Sequence, residues 1–316
     1  MSDAIGDFEA GRAAWERNDL PAAEAALRRA LVAAPADPAI QAALGSVLLK
    51  TGRLVEGFPL FDAWRRVPGR EDKGAPKLPF PPWRGQPVAG KRVLIWSEHG
   101  FGDQIMYARF ARLLVQKGAE VSWLCPPELV RLVAALGVKA MPSDQPVSLS
   151  CDFYIPSSAL PLGFDLTWET LPSAPYVAAP APRAPAARIG VMTAGNLKNL
   201  AGANRALGPD LGERLLELPG AMSLAPAATG ARDFLDTADI IAGLDLVISI
   251  DTAVAHLAGA MGKPVWVLVP FVADWRWPER EPNPWYPTAR IWRQGADLDW
   301  APVVAAVEAQ VRAGVA

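Results

Sequence analysis

The chain has 316 residues, 51% of them hydrophobic and 20% charged, enough to bury large cores in two or three ordered domains. Its formal net charge of −2 offers no global basic field and argues against nucleic acid as a partner. Cys125 and Cys151 lie in or beside apolar runs and read as buried thiols; with two histidines they make no metal cluster at these spacings.

The first residues, Met1-Ser2-Asp3-Ala4-Ile5-Gly6-Asp7, are polar and acidic and do not read as a signal peptide. An internal repeat follows. Gly11 matches Gly45, Asn18 matches Gly52, Leu20 matches Leu54 and Ala23 matches Gly57; Leu27 matches Phe61 and Ala30 matches Trp64. Every offset is 34, the tetratricopeptide period. Pro35 closes the first repeat. Residues 1–70 are therefore expected to form two antiparallel helical pairs. Two such repeats cannot bury a continuous solenoid core alone. Either the second docks on the next domain, or further chains stack on the first. The module reads equally as a concave surface for a protein partner and as a structural appendage.

Residues 71–89 are a Pro-rich connector containing Pro81-Pro82-Trp83. Residues 90–176 read as an α/β domain, with strands at 92–97, 120–124, 138–141 and 152–155 and helices at 103–117 and 126–136. Its first strand runs into Trp96-Ser97-Glu98-His99-Gly100-Phe101-Gly102-Asp103. Gly100 and Gly102 permit close approach of a ligand. Asp103 stands at the helix entrance, as a plain N-cap or as a general base facing a cleft. A lone Gly-x-Gly pair is weak evidence, and no full dinucleotide fingerprint is present.

The run Ala178-Ala179-Pro180-Ala181-Pro182 lies in an expected stiff linker at 177–186. Residues 187–316 read as a second α/β domain, with strands at 188–192, 221–225, 246–250, 265–270 and 290–293 and a last amphipathic helix at 300–313. Strand-like Leu246-Val247-Ile248-Ser249-Ile250 leads into Asp251-Thr252-Ala253-Val254-Ala255-His256-Leu257-Ala258. Amides at such a helix start lack partners, and the helix dipole favours a phosphate. His256 lies one turn after Thr252 and shares its face. The longest apolar stretch, 244–272, is broken by Asp245, Asp251, His256 and Lys263, so no membrane span is expected. A cytoplasmic protein is expected, with contact at a membrane surface left open.

In combination, these segments resemble the GT-B glycosyltransferases of the lipopolysaccharide heptosyltransferase family, and more closely its bacterial relatives with an N-terminal tetratricopeptide region. The carriers are Gly102-Asp103, the segment from Asp251 to Ala258, the lead-in Trp83-Arg84-Gly85, and the tail with Asp274-Trp275-Arg276-Trp277 and Pro284-Trp285-Tyr286. The resemblance covers residues 80–316. It implies two Rossmann-like domains facing a cleft behind the helical module, with the last helix returning onto the first domain. It also implies a metal-independent, inverting transfer from a nucleotide-sugar donor, with no further cofactor.

Under that resemblance Asp103 matches the general base. Glu98 is a rival and His99 a weaker one. Thr252, Ala253 and His256 become candidates for the diphosphate, beside Gly102 and Asp251. The family's element after its first C-terminal strand is here Thr193-Ala194-Gly195-Asn196-Leu197-Lys198, continuing to Arg205. Gly195, Asn196 and Arg205 match; the tryptophan, proline and histidine of that element are absent. Lys198 and Arg205 could still contact phosphate. Trp275, Trp277, Trp285 and Tyr286 suit either sugar stacking or packing beneath the last helix; packing is expected for most, with one lining the site. The acceptor implied is a protein held by the repeats, such as a flagellin or other surface protein. The alternatives are a lipopolysaccharide or glycan precursor, or a catalytically silent protein-binding relative, which the altered 193–205 loop motivates.

Overall fold

The computed structural model describes residues 2–69, 78–173, 175–178, 188–195 and 205–314. Four helices come first: α1 (Ser2–Glu16), α2 (Leu20–Ala33), α3 (Pro38–Lys50) and α4 (Leu54–Phe61), the last followed by a 3-10 turn at Asp62–Arg66. Asp19 caps α2 by accepting from the Ala22 amide at 3.1 Å, and Asp37 caps α3 by accepting from Ala39 at 2.8 Å. The 34-residue offset has a steric cause. A Cβ on Gly11 would lie 2.6 Å from the Leu27 side chain, and one on Gly45 2.3 Å from the Phe61 amide. The same close helix crossing is thus built twice. Asn18 (φ 57°) and Gly52 (φ 87°) make equivalent left-handed turns between the paired helices.

Two parallel sheets follow. The first contains β1 (Arg92–Trp96), β2 (Glu120–Cys125), β3 (Lys139–Pro142) and β4 (Phe153–Pro156), in the order β3-β2-β1-β4. Helices α5 (Phe101–Gln116) and α6 (Pro127–Ala134) connect its early strands. The second contains β5 (Ile189–Met192), β6 (Ala221–Ser223), β7 (Leu246–Ile250), β8 (Val265–Val269) and β9 (Ala289–Arg293), in the order β6-β5-β7-β8-β9. Its helices are α7 (Pro209–Leu216), α8 (Pro226–Thr229), α9 (Phe234–Ala242), α10 (Ala253–Ala260) and α11 (Ala301–Arg312). All pairs in both sheets are parallel. Every residue of β7 and β8 is buried, which explains their near-continuous apolar sequences; the one polar residue, Ser249, donates to the Ile250 carbonyl. Strand order reverses at β1 in the first sheet and at β5 in the second, so each sheet offers a crevice beyond its carboxyl ends. A helical module ahead of two Rossmann-like sheets is the architecture the sequence leads one to expect.

One apolar core runs through all three parts. It joins Leu49, Leu54 and Phe58 of the helical module to Tyr107 and Phe110 on α5 and to Leu257, Trp275, Trp277 and Trp285 beyond β7. The second repeat thus docks on the α/β body. Trp275 meets Phe58 and Phe61 edge-on at 5.8 and 5.7 Å. The Lys50 ammonium donates to the Ala273 carbonyl at 2.9 Å. The Pro-rich connector also packs in part: Trp83 is buried, and its ring lies against Gly163 so closely that a Cβ there would collide with it.

Helix α11 departs from the expectation of a return onto the first domain. Its stripe of Val303, Val304 and Val307 shares a core with Leu215, Leu246 and Ile248, on the outer face of the second sheet. Arg214 on α7 fixes it there with a fork to Glu308 at 3.0 and 2.7 Å. Among the described residues no helix is long and apolar enough to cross a membrane.

The two glycines Gly6 and Gly45 make opposite predictions. At Gly45 an added methyl meets backbone atoms that cannot yield, whereas at Gly6 it meets nothing within 4 Å. Gly45→Ala is expected to destabilise the protein by about 1–3 kcal/mol through overpacking. Gly6→Ala is expected to stabilise it by up to about 1 kcal/mol through helix propensity. Urea unfolding of the two variants beside the parent checks both signs.

Candidate functional site at the junction of the two sheets

The site is built where α5 and α10 meet by their N-terminal ends. Strand β1 ends at Trp96, and the chain turns through His99, in the left-handed region at φ 65°, to Gly100, the N-cap of α5. Asp103 is the third helical residue. Its carboxylate accepts from the Gly100 amide at 3.2 Å and pairs with Arg276 across the domain junction. Gly102 faces α10 directly: a Cβ there would fall 2.6 Å from the His256 ring and 3.4 Å from Ala253 Cα. Glycine at this position is what lets the two helices touch.

On the other side β7 ends in Asp251, and Thr252 is the N-cap of α10 with extended backbone. The Thr252 hydroxyl lies 3.0 Å from Ser249 Oγ and makes no cap bond to its own helix. Gly195, beyond β5, abuts the Thr252 methyl. Arg205 donates to the Asp251 carboxylate at 2.9 Å and to its carbonyl at 3.1 Å. His256 is buried. Its Nδ1 lies 2.9 Å from the Tyr286 hydroxyl, its Nε2 3.8 Å from Asp251, and its ring 5.0 Å from that of Trp277. A Tyr286 hydroxyl donating to Nδ1 leaves the ring proton on Nε2, directed toward Asp251.

The structure therefore gathers Gly102, Asp103, Gly195, Arg205, Asp251, Thr252, Ala253 and His256 around one point. Asn196 and Lys198 lie outside the described residues. Glu98 is committed elsewhere: it binds the Arg65 guanidinium of the helical module and accepts from Ser158 Oγ at 2.7 Å. The His99 ring lies 4.3 Å from that of Trp64. Trp275, Trp277, Trp285 and Tyr286 are all buried to 2% exposure or less. None offers a free face for stacking, so packing claims all four. Trp275 and Trp285 pack against Phe58 of the helical module, a partner the sequence did not indicate.

Two arginines were missed. Arg276 is 8% exposed and lies between two carboxylates, donating to Asp274 at 2.7 Å and pairing with Asp103, with its guanidinium 4.1 Å from the Trp275 ring centre. Arg109 is 2% exposed; it donates to the Trp285 and Pro172 carbonyls at 3.0 Å, and its guanidinium lies within 5.2 Å of the rings of Tyr176, Trp285 and Tyr286. Arg276 sits within a segment that carries the resemblance, and Arg109 lies two turns beyond another, on α5. Their flanking aromatic residues were the available signal.

The electrostatics follow from burial. It pushes the His256 pKa down to about 3, with the nearby Arg276 charge adding to the effect. It pushes Asp251 up against the pull of Arg205. At Asp274 burial also pushes up, but the charge and hydrogen bonds of Arg276 outweigh it and leave that carboxyl low. Among the described residues no three His, Cys, Asp or Glu side chains converge as metal donors.

Comparisons with known proteins fit this layout. Residues 8–75 match the tetratricopeptide repeat family model, so the N-terminal helices are such repeats. The chain is 25% identical to Protein FlbA of Caulobacter vibrioides, over 95% of this chain and 60% of that protein. It thus spans about three fifths of that relative's length. Among solved structures it is similar to the iron-containing dodecameric glycosyltransferase TibC of enterotoxigenic E. coli, at 17% identity and a TM-score of 0.46, covering 65% of this chain and 63% of that one. It is also similar to the E. coli ADP-heptose lipopolysaccharide heptosyltransferase II, at 12% identity and a TM-score of 0.45, covering 70% and 98%. Neither structural likeness is close enough to carry chemistry across.

The buried imidazole predicts acid sensitivity. An unfolded chain protonates His256 near pH 6.5, whereas the folded chain resists until about 3. Its contribution to stability is complete above the higher value and is lost as pH falls toward the lower one, at about 1.4 kcal/mol per pH unit. Between pH 7 and 4.5 the parent should lose about 2–3 kcal/mol more unfolding free energy than His256→Asn. Urea midpoints at the two pH values measure the difference. Equal losses would show that the ring titrates in the fold as it does in the unfolded chain.

Proposed function

We propose that this chain is a glycosyltransferase that uses a nucleotide-sugar donor. The observation that carries the reading is the head-to-head meeting of two strand–turn–helix junctions, one from each sheet, with Arg205 and Arg276 gathered beside them. Such a transfer makes two demands: a leaving diphosphate must be stabilised, and an acceptor hydroxyl must lose a proton. The start of α10, with the Thr252 hydroxyl and the Thr252 and Ala253 amides, is suited to the first. Its neighbours Gly195 and Arg205 close one side of that seat, and Asn196 and Lys198 are proposed to extend it. Asp103 is suited to the second.

In the step proposed, the acceptor oxygen attacks the anomeric carbon and its proton passes to the Asp103 carboxylate. The bond from that carbon to the donor phosphate breaks, and the nucleoside diphosphate leaves with the electron pair. Single displacement inverts the anomeric centre. Helix amides and guanidinium groups supply the positive charge, so the reaction is proposed to proceed without a metal. The buried, neutral His256 serves as a spacer that fixes Asp251 and Tyr286. It does not serve as a cation for phosphate.

The acceptor is proposed to be a protein recruited by the repeats, in the cytoplasm. A groove of about 210 Å³ lies between α1 and α3, lined by Gly11, Arg12, Trp15 and Glu16 on one side and Ala43, Ser46 and Val47 on the other. A glycan-precursor acceptor would bypass this groove. A silent, protein-binding role is the second reading. The observation that favours it is the pairing of Asp103 with Arg276, which leaves that carboxylate engaged.

Asp103→Asn is expected to lower transfer by roughly 100- to 10,000-fold while nucleoside diphosphate still raises the melting temperature. Turnover is read by release of nucleoside diphosphate from a panel of nucleotide sugars. Unchanged turnover would reduce Asp103 to a helix cap. Absence of any turnover in the parent, with diphosphate binding intact, would favour the silent relative.

The groove makes a separate prediction. Exchange of Arg12 and Glu16 for alanine should leave donor binding and donor hydrolysis unchanged while transfer to a protein acceptor falls. An effect near tenfold corresponds to about 1.4 kcal/mol of lost contact. Equal loss of donor binding would make the module a structural support only. Full retention of transfer would point to a glycan acceptor.

A further inference from the structure

Arg276 is shared between two anions. It reaches Asp274 within its own loop and Asp103 on the opposing domain. Its Nε is buried and has no hydrogen-bond partner among the described residues. The hydroxyl of Tyr107, one turn beyond Asp103 on α5, is likewise buried without a partner, and the Arg276 charge acts on it. The same charge acts on Asp251 and His256, which flank the start of α10. Arg276, 8% exposed, thus keeps one donor unspent beside Asp103, whose neighbour Gly102 abuts Ala253 in the first turn of α10. Arginine suits such a position because its fork can hold a carboxylate and be transferred whole to a phosphate.

Resting on the reading of α10 as a diphosphate seat, we propose that Arg276 is an exchangeable cation. In the ligand-free protein it holds the Asp103 carboxylate across the domain junction; a nucleoside diphosphate at the start of α10 takes it over. Two consequences follow from the single exchange. The phosphate gains a charged, two-pronged donor. Asp103 loses its counter-ion and keeps, among the described residues, the Gly100 amide, free to accept the proton of an incoming hydroxyl. Donor binding therefore arms the base, and an acceptor arriving first meets a carboxylate already occupied. The pairing that favoured a silent protein becomes the resting state of an ordered one.

The test uses the full chain and isothermal titration with UDP, GDP, ADP and CDP in turn. Asp103→Asn keeps the shape of the helix cap and removes the competitor for Arg276. Exchange requires this variant to bind the preferred diphosphate more tightly than the parent, by roughly tenfold, the step set by one charge-assisted hydrogen bond. Simple removal of a negative charge would also tighten binding, but that gain would persist in the double variant below. Arg276→Lys, which keeps charge but loses the fork, should weaken binding about tenfold. In Asp103→Asn/Arg276→Lys the gain from the first change should largely disappear, because there is no longer a fork to release. Binding by the parent with an affinity that Asp103→Asn leaves unchanged or weakens would overturn the exchange while sparing the diphosphate seat. Failure of all four diphosphates to bind the parent would overturn the seat itself, and the exchange with it.

Discussion

Two helix N-termini that meet across the domain junction impose the central constraint on this molecule. Each carries about half a positive charge on amides that lack partners. Bringing the starts of α5 and α10 together therefore calls for anions. Asp103 lies in the first turn of α5, Asp251 immediately before α10, and Asp274 close by. Three carboxylates overshoot the need, and Arg205 and Arg276 restore the balance. His256 adds no charge, because burial keeps its ring neutral. The polar composition of the site thus follows from one steric fact, the contact of Gly102 with His256 and Ala253.

The same closeness explains why the three parts share a core. Helix α10 is apolar on every face because both domains cover it. Tyr176 and Val177 hold the Ala260 carbonyl at its far end, and Arg109 reaches over to the carbonyl of Trp285. On the flank, Arg131 of α6 bonds Asp233 and Asp236 at 2.8 Å, beside the ring pair Phe101 and Phe234. The contact between domains is thus polar at its rim and aromatic at its centre. The helical module covers that aromatic centre with Phe58.

Much of this was legible in the residues. The strand–turn–helix junctions announce themselves locally, through a short β-branched run, a small-residue turn and a change of period. The offset of 34 is legible because its cause, glycine beneath a bulky side chain, recurs at each repeat. What sequence conceals is direction. Val303, Val304 and Val307 declare an apolar stripe on α11, but not which sheet face it covers. Four aromatic residues in a Pro-rich tail declare burial, but not that a helix from the first seventy residues lies over them. Arg276, between two tryptophans, carries no local sign of where its charge is held. Its burial depends on Asp103, on another domain, and no local pattern records that.

The docking of the repeats also fixes a length. The groove between α1 and α3 does not swing on a tether. Phe58 and Phe61 lock its second repeat to Trp275, Lys50 is bonded to Ala273, and Arg65 is bonded to Glu98 beside the start of α5. A flexible leash would present any residue of a captured chain, with a frequency set by linker length. A rigid mount presents only those residues whose separation from the anchor matches the span to the domain junction. On the proposed reading, with a protein acceptor held in that groove, geometry of this kind would make the module a ruler, choosing position along a partner as well as the partner itself.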